Sequence, residues 1–181
     1  MARLIDDLLS LSRIELKAHL QPTTPIDLAA IVRQVADGLQ PLARDRGVEI
    51  AIAKPGNPLV VRGDRDELIR LFENLVENAL KYGAPGKRID IALGREPGPK
   101  GGEEAVVSVR DYGPGIAPEH LSRIYDPFFT TKAARKGTGL GLSVSYGIVR
   151  EHGGNIEVDS RPGAGARFRV ELPVARKPVH A

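Results

Sequence analysis

The chain has 181 residues, of which 41% are hydrophobic, 27% charged and 4% aromatic, and it contains no cysteine. That length suits one well-packed domain, alone or with an appendage, whose core must rest on Leu, Ile, Val and Ala. The missing cysteines exclude disulfides, thiolate metal sites and a cysteine nucleophile, as expected of a cytosolic protein. A net charge of only +3, without a basic stripe interleaved with aromatics, argues against nucleic acid.

No apolar run approaches the roughly 18 residues needed to span a bilayer, and the acids within MARLIDDLL do not fit a signal peptide. Residues 2–19 space Leu4, Ile5, Leu8, Leu9, Leu11 and Ile14 as a helix does. Pro22 to Pro25 breaks that pattern. A second helix is expected from an N-cap at Asp27 to about Arg46, closed by Gly47. Val48 to Ala53 and Leu59 to Arg62 read as short strands.

Asp64 then opens a strong helix to Tyr82, with Leu68, Leu71, Phe72, Leu75, Val76, Ala79 and Leu80 on its apolar face and Gly83 at its end. Arg88 to Arg95 and Glu104 to Asp111 form a hairpin across a glycine-rich turn. A short helix near Pro118 to Ile124 and a lysine-bearing loop follow. Leu140 to His152 reads as a helix, and Asn155 to Ser160 with Ala166 to Leu172 as a final hairpin. The only domain boundary falls near residues 20–25, giving a first segment 1–20, an α/β unit 21–175 and a tail 176–181.

Three constellations carry chemistry. Asn74, Asn78 and Lys81 share one helix face by their spacing. An amide oxygen is a hard donor suited to magnesium, and a lysine one turn away can balance phosphate, although the same face could simply be a solvated one. DYGPGI, residues 111–116, puts an acid and two glycines directly after a strand. The acid can accept from an exocyclic amine, and glycines permit a close approach, yet alone this is any Asp-bearing turn. GTGLGLS, residues 137–143, opens a helix, where freed amides and the helix start favour anions. It is neither a Walker A loop nor a Rossmann fingerprint.

Taken in order, these blocks resemble the Bergerat-fold ATPases, and within them the sensor histidine kinases. ENLVENALKYG (73–83) resembles the asparagine box, DYGPG the first glycine box, PFF (127–129) the phenylalanine box, GTGLGL the second glycine box and GAGARFRVELP (163–173) the closing hairpin. MARLIDDLLSLSRIE resembles the second helix of the family's dimerisation hairpin. The resemblance implies a two-layer α/β sandwich, with three helices on a mixed sheet of about five strands, preceded by that one hairpin helix. It implies ATP and Mg2+ as cofactors.

By position, the resemblance makes Asn78 the metal ligand, and Asn74 and Lys81 the catalytic pair that serves the phosphate region. Tyr82 flanks the nucleotide. Asp111 accepts the adenine amine, with Gly113, Gly115 and Ile116 close by. Phe128 and Phe129 anchor a lid spanning about Ile116 to Lys136, in which Lys132, Arg135 and Lys136 can reach phosphate. Gly137, Thr138, Gly139, Leu140, Gly141 and Leu142 frame the triphosphate.

Two departures stand beside it. None of His19, His120, His152 and His180 is followed by an acid, as the family's acceptor histidine is. Each is expected in a structural or surface role, and the acceptor on a separate hairpin. Also, the text up to about Pro118 resembles phosphate-regulon kinases, and from IYDPFFTTK onward nitrogen-regulation kinases, the pattern of a recombinant, reconstructed or engineered chimera.

The implied function is γ-phosphoryl transfer from Mg-ATP to that hairpin histidine, with a response regulator as indirect partner. The fragment itself is expected to be cytoplasmic, part of a membrane-anchored kinase, without membrane contact, and monomeric or weakly dimeric. Alternatives are a nucleotide-binding module without turnover, or another Bergerat ATPase. The gyrase-like members of that group carry a glutamate where this chain has Asn74, and a serine kinase would not carry the hairpin helix.

Overall fold

A computed structural model describes residues 2–17, 22–54, 56–131 and 138–176. Its elements run α1 (Ala2–Lys17), β1 (Thr24–Asp27), α2 (Leu28–Asp45), β2 (Glu49–Ile52), β3 (Val60–Gly63), α3 (Arg65–Tyr82), a 3-10 turn (Ala84–Gly86), β4 (Arg88–Pro97), β5 (Glu103–Asp111), α4 (Pro118–Leu121), α5 (Gly141–Glu151), β6 (Asn155–Ser160) and β7 (Ala166–Pro173).

The main sheet has the order β2-β4-β5-β7-β6, with β2 parallel to β4 and every other pair antiparallel. This is the expected mixed five-stranded sheet. Strand alternation turns Ile89 and Ile91, Val107 and Val109, and Phe168, Val170 and Leu172 toward the helices. The other face carries charge, with Arg169 bonded to Glu96 and Glu171.

The helices α2, α3 and α5 cover the apolar face, each by a buried stripe. Both long helices begin on an aspartate cap. Asp27 accepts from Ala29 N–H at 3.0 Å and Asp64 from Glu67 N–H at 3.1 Å. Pro41 lies inside α2 without ending it, on the exposed side of the helix. No helix among the described residues is long and apolar enough to cross a membrane.

The structure differs from expectation in a few places. Thr24 to Asp27, part of the expected proline-rich break, is a strand that pairs antiparallel with β3. Pro25 is tolerated because β1 lies at the edge of this ladder, while β3 also bridges to Val174. The short helix expected to reach Ile124 ends at Leu121 and continues as turns. The α1 helix also packs onto the α/β unit. Asp7 pairs with Arg70 of α3, and a Cβ added at Gly147 of α5 would come within 2.9 Å of Ile14.

Of the four histidines, His152 has the structural role expected of it. Its Nε2 accepts from Asp64 N–H at 3.0 Å, and its Nδ1 lies 2.7 Å from Ile148 O. Those partners require a neutral ring with the proton on Nδ1, which donates to the carbonyl. The ring therefore ties the end of α5 to the start of α3. His152→Ala is expected to lower unfolding free energy by about 2–3 kcal/mol, since it leaves the Asp64 amide unpaired and a void beneath it. Urea unfolding of both proteins measures this.

Candidate functional site

A cleft of about 820 Å³ opens between α3, the end of α2, the turn after β5, the segment from α4 to Thr131, and the start of α5. Its size suits a small-molecule ligand. The floor is apolar, made by Ala79, Val109, Ile124, Ala166 and Phe168. One charged group is set into this floor. Asp111, 7% exposed, accepts from Gly113 N–H at 2.9 Å. Burial pushes its carboxyl above the usual aspartate range, opposed by the backbone N–H groups of Gly113 and Ala166.

Asp111 can sit there because glycines surround it. A Cβ at Gly83 would stand 2.3 Å from Asp111 Cβ, and one at Gly165, where φ is +76°, 2.0 Å from Asp111 O. A Cβ at Gly113 would reach to 2.6 Å from Gly83 Cα. Gly113 and Gly115 also have a reason within the fold itself. The protein's own backbone requires them, Gly115 through Arg161 O at 2.3 Å. Gly115 lines the cleft but Gly113 does not. Ser160 then fastens this turn to the last hairpin, accepting from Ile116 N–H and donating to Gly165 O, both at 2.8 Å.

The helix α3 supplies the polar wall. Asn74, Asn78, Lys81 and Tyr82 all line the cleft, as expected from their spacing. Lys81 Nζ lies 5.1 Å from the centroid of the Tyr82 ring. Asn74 is buried, and its Nδ2 donates to Gly141 O at 3.2 Å. Asp111 packs against Gly83 while Asn74 reaches Gly141, so about 13 Å of helix separates the buried acid from the start of α5.

At that second end, Thr138, Gly139, Gly141 and Leu142 line the cleft. The N-cap residue of α5, Leu140, makes no side-chain cap bond, and a helix start favours an anion through its first N–H groups and its dipole. Leu140 is fully buried and belongs to the core rather than to the cleft wall. Gly139 has φ +69°, and a Cβ there would strike the Phe128 backbone at 2.6 Å.

The two phenylalanines divide their expected role. Phe129 lines the cleft, beside His120 at 5.6 Å and beneath Arg123 at 4.7 Å, centroid distances that suit ring and cation–π contact. The Phe128 ring is 61% exposed and lies outside the cleft. What Phe128 contributes is backbone, a left-handed residue at φ +66° whose N–H donates to Gly139 O at 2.9 Å. The expected contacts of Lys132, Arg135, Lys136 and Gly137 lie outside the described residues.

Sequence reasoning missed Arg3 and Asp7 of α1 and Leu42 and Arg46 of α2, which also line the cleft. Nothing in their local spacing marks them, because long-range packing brings them there. Gly83 and Gly165 read only as a helix end and a hairpin turn, and their part in accommodating Asp111 appears only in three dimensions. Among the described residues no group of three or more His, Asp or Glu could hold a metal. Magnesium, which takes one or two protein oxygens and completes its shell with water and phosphate, fits the single amide of Asn78.

Residues 63–176 match the family model described as histidine kinase-, DNA gyrase B-, and HSP90-like ATPase. The chain is 30% identical over 97% of its length to the signal transduction histidine-protein kinase BaeS of Escherichia coli (strain K12), covering 37% of that protein. It is 32% identical over 98% of its length to the sensor-like histidine kinase SenX3 of Mycobacterium tuberculosis (strain ATCC 25618 / H37Rv), covering 43% of it. The chain thus spans about two fifths of these relatives. Among solved structures, full-length ShkA in complex with AMPPNP superposes with a TM-score of 0.79 at 31% identity, covering 99% of this chain and 37% of that one. The catalytic domain of histidine kinase ThkA gives 0.68 at 33% identity, covering 83% and 95%.

The raised pKa of Asp111 has a testable sign. A carboxyl whose folded pKa lies above its unfolded value contributes stability that is complete below the unfolded value, about 3.9, and is lost as pH rises through the folded one. Asp111→Asn removes the titration. The variant's melting temperature relative to wild type is therefore expected to rise as pH increases from about 4 to 7. Melting curves across that range test this, and a constant difference would contradict a desolvated carboxylate.

Proposed function

The chain belongs to the histidine kinase-, DNA gyrase B- and HSP90-like ATPase family and is similar along nearly its whole length to sensor histidine kinases; on that footing we propose that its cleft binds Mg-ATP and donates the γ-phosphoryl group to a histidine on a helical hairpin. The observation that carries this reading is the pairing, within one cleft, of a buried carboxylate on an apolar floor with an uncapped helix start about 13 Å away. A flat apolar base with an exocyclic amine suits the first, and a chain of phosphates suits the second.

In this reading Asp111 accepts the adenine amine, and Tyr82 and Ile116 flank the base. The first amides of α5, with Thr138, Gly139 and Gly141, receive the phosphates, and Lys81 balances their charge. Magnesium, held by the Asn78 amide oxygen, neutralises charge between phosphate oxygens. Catalysis then rests on positioning and charge stabilisation rather than on covalent chemistry by the protein. Asn74 supports a kinase over a water-activating ATPase. Its amide nitrogen is committed to Gly141 O, and an amide cannot take a proton from water as a glutamate can.

The acceptor hairpin would pack on the exposed apolar face of α1, formed by Ile5, Leu8, Leu9 and Leu16, and a response regulator would be reached through that hairpin. The chain would act on the cytoplasmic side, under a sensor.

Asn78→Ala is expected to abolish the gain in ATP affinity that magnesium confers, with little change in affinity in the presence of a chelator. Calorimetric titration with and without magnesium checks this, and a full magnesium effect in the variant would remove Asn78 as the ligand. Incubation with γ-labelled ATP is expected to label the chain itself on no histidine. Adding a hairpin that bears a histidine–acid pair should produce acid-labile, base-stable phosphate on the hairpin. Rapid stoichiometric histidine labelling of the chain alone would contradict a separate acceptor.

A further inference from the structure

Asp7 is a buried charge for which nucleotide chemistry has no evident need. It lies on α1, is 3% exposed, and lines the cleft near Asn74 and Thr138. Its Oδ1 accepts from Arg70 Nη2 at 3.2 Å, and its Oδ2 accepts from Thr138 Oγ1 at 3.1 Å. Thr138 Oγ1 in turn accepts from Leu140 N–H at 3.3 Å, just ahead of α5. One turn before Asp7, Arg3 also lines the cleft and pairs with Glu77, the neighbour of Asn78. Arg70 donates to Ser10, and Ile14 rests against Gly147. The helix α1 is thus fastened to α3, to the loop before α5 and to α5 itself.

We propose that Asp7 is an internal competitor for the phosphate loop, so that docking of α1 and binding of a nucleoside triphosphate oppose one another. The proposal rests on reading the cleft as a nucleotide site. Two physical reasons give the sign. First, Thr138 has a single hydroxyl proton, and Asp7 holds it. A phosphate oxygen receives that proton only when Asp7 releases it. Second, the uncapped start of α5 favours anions, and Asp7 already places a carboxylate on the loop that leads into it. A triphosphate arriving there meets like charge in a partly enclosed space, where screening is weak. Arg70 offsets the charge of Asp7 but does not return the hydroxyl proton.

The contact is a device with two states. With α1 docked, Asp7 satisfies Thr138 and Arg70, and the α/β unit is held in a resting arrangement. With α1 released, Thr138 and the α5 amides face the phosphates unopposed. Because α1 also presents its other, apolar face to solvent, movement of α1 by its neighbours would reach the cleft directly. The coupling is reciprocal, so whatever releases α1 tightens nucleotide binding, and nucleotide releases α1.

The test uses the full chain with magnesium and either AMPPNP or ADP. Asp7→Asn keeps the shape and removes the charge. It is expected to tighten AMPPNP binding at least about fivefold, with a smaller gain for ADP, which brings less charge to the α5 end. Ile14→Asp undocks α1 from its packing side at a position that does not itself line the cleft, and it should shift AMPPNP affinity the same way. In wild type, amide exchange across residues 2–17 should quicken when AMPPNP saturates the site. Unchanged or weaker AMPPNP binding in both variants, or greater protection of α1 with AMPPNP, overturns the coupling and leaves the nucleotide site standing. Failure of wild type to bind either nucleotide overturns the nucleotide reading itself, and this inference with it.

Discussion

The arrangement of α3 against α5 is the constraint on which the cleft depends. The two helices run antiparallel and are pinned at both ends by side chains that reach across. Asn74 Nδ2 donates to Gly141 O at one end, and His152 Nε2 accepts from Asp64 N–H at the other. The stretches from Asp64 to Asn74 and from Gly141 to His152 have nearly equal lengths, about 15–17 Å of helix, so both bonds form without distortion. Each bond engages a group at a helix end that the helix itself leaves unpaired or shares. Between the pins, Leu68, Leu71, Val144 and Ile148 belong to the buried core. The start of α5 therefore faces the cleft because α3 fixes it there.

The second requirement is a place for a buried acid. Asp111 ends β5 beneath the C-terminal end of α3, and three glycines from separate parts of the chain keep side chains out of its way. Desolvation raises its pKa while two backbone amides oppose the shift. The resulting site is apolar except for one acceptor, a chemistry that discriminates between bases by the groups on their edges. The α5 end is governed by amides and a dipole instead. In the proposed function the base and the phosphates would lie at opposite ends of the cleft, with Asn78, Lys81 and Tyr82 along the wall between them.

Much of this was legible in the sequence. Aspartate caps and a long apolar stripe placed α3 within a residue of its observed bounds, and strand alternation placed β4 to β7. The spacing of Asn74, Asn78 and Lys81 put them on one wall, and the acid–glycine turn put Asp111 at a strand end. What was not legible depended on long-range packing. Pro25 read as a break because a sequence cannot show that its strand will lie at an edge. Phe128 and Phe129 looked equivalent, yet the left-handed backbone at Phe128 turns one ring outward and leaves the other in the cleft. Gly83 and Gly165 looked like punctuation because what fills their missing side-chain space is Asp111, distant in sequence. The burial of Asp7 was hidden because its partners, Arg70 and Thr138, lie 63 and 131 positions away.

In the proposed function Asp111 reads the amine of an adenine base from the floor of the cleft. Replacing adenosine diphosphate by inosine diphosphate tests it most directly, because inosine has a carbonyl oxygen where adenosine has the amine and changes nothing in the phosphates. Calorimetric titration of the wild-type chain with each, in magnesium, is expected to show at least about a tenfold loss for the inosine nucleotide, as one charged hydrogen bond is exchanged for an unfavourable oxygen–carboxylate contact. The same comparison on Asp111→Asn is expected to narrow that difference, since an amide can donate to the inosine oxygen. Equal affinity of the wild-type chain for the two nucleotides would mean that Asp111 does not read the base.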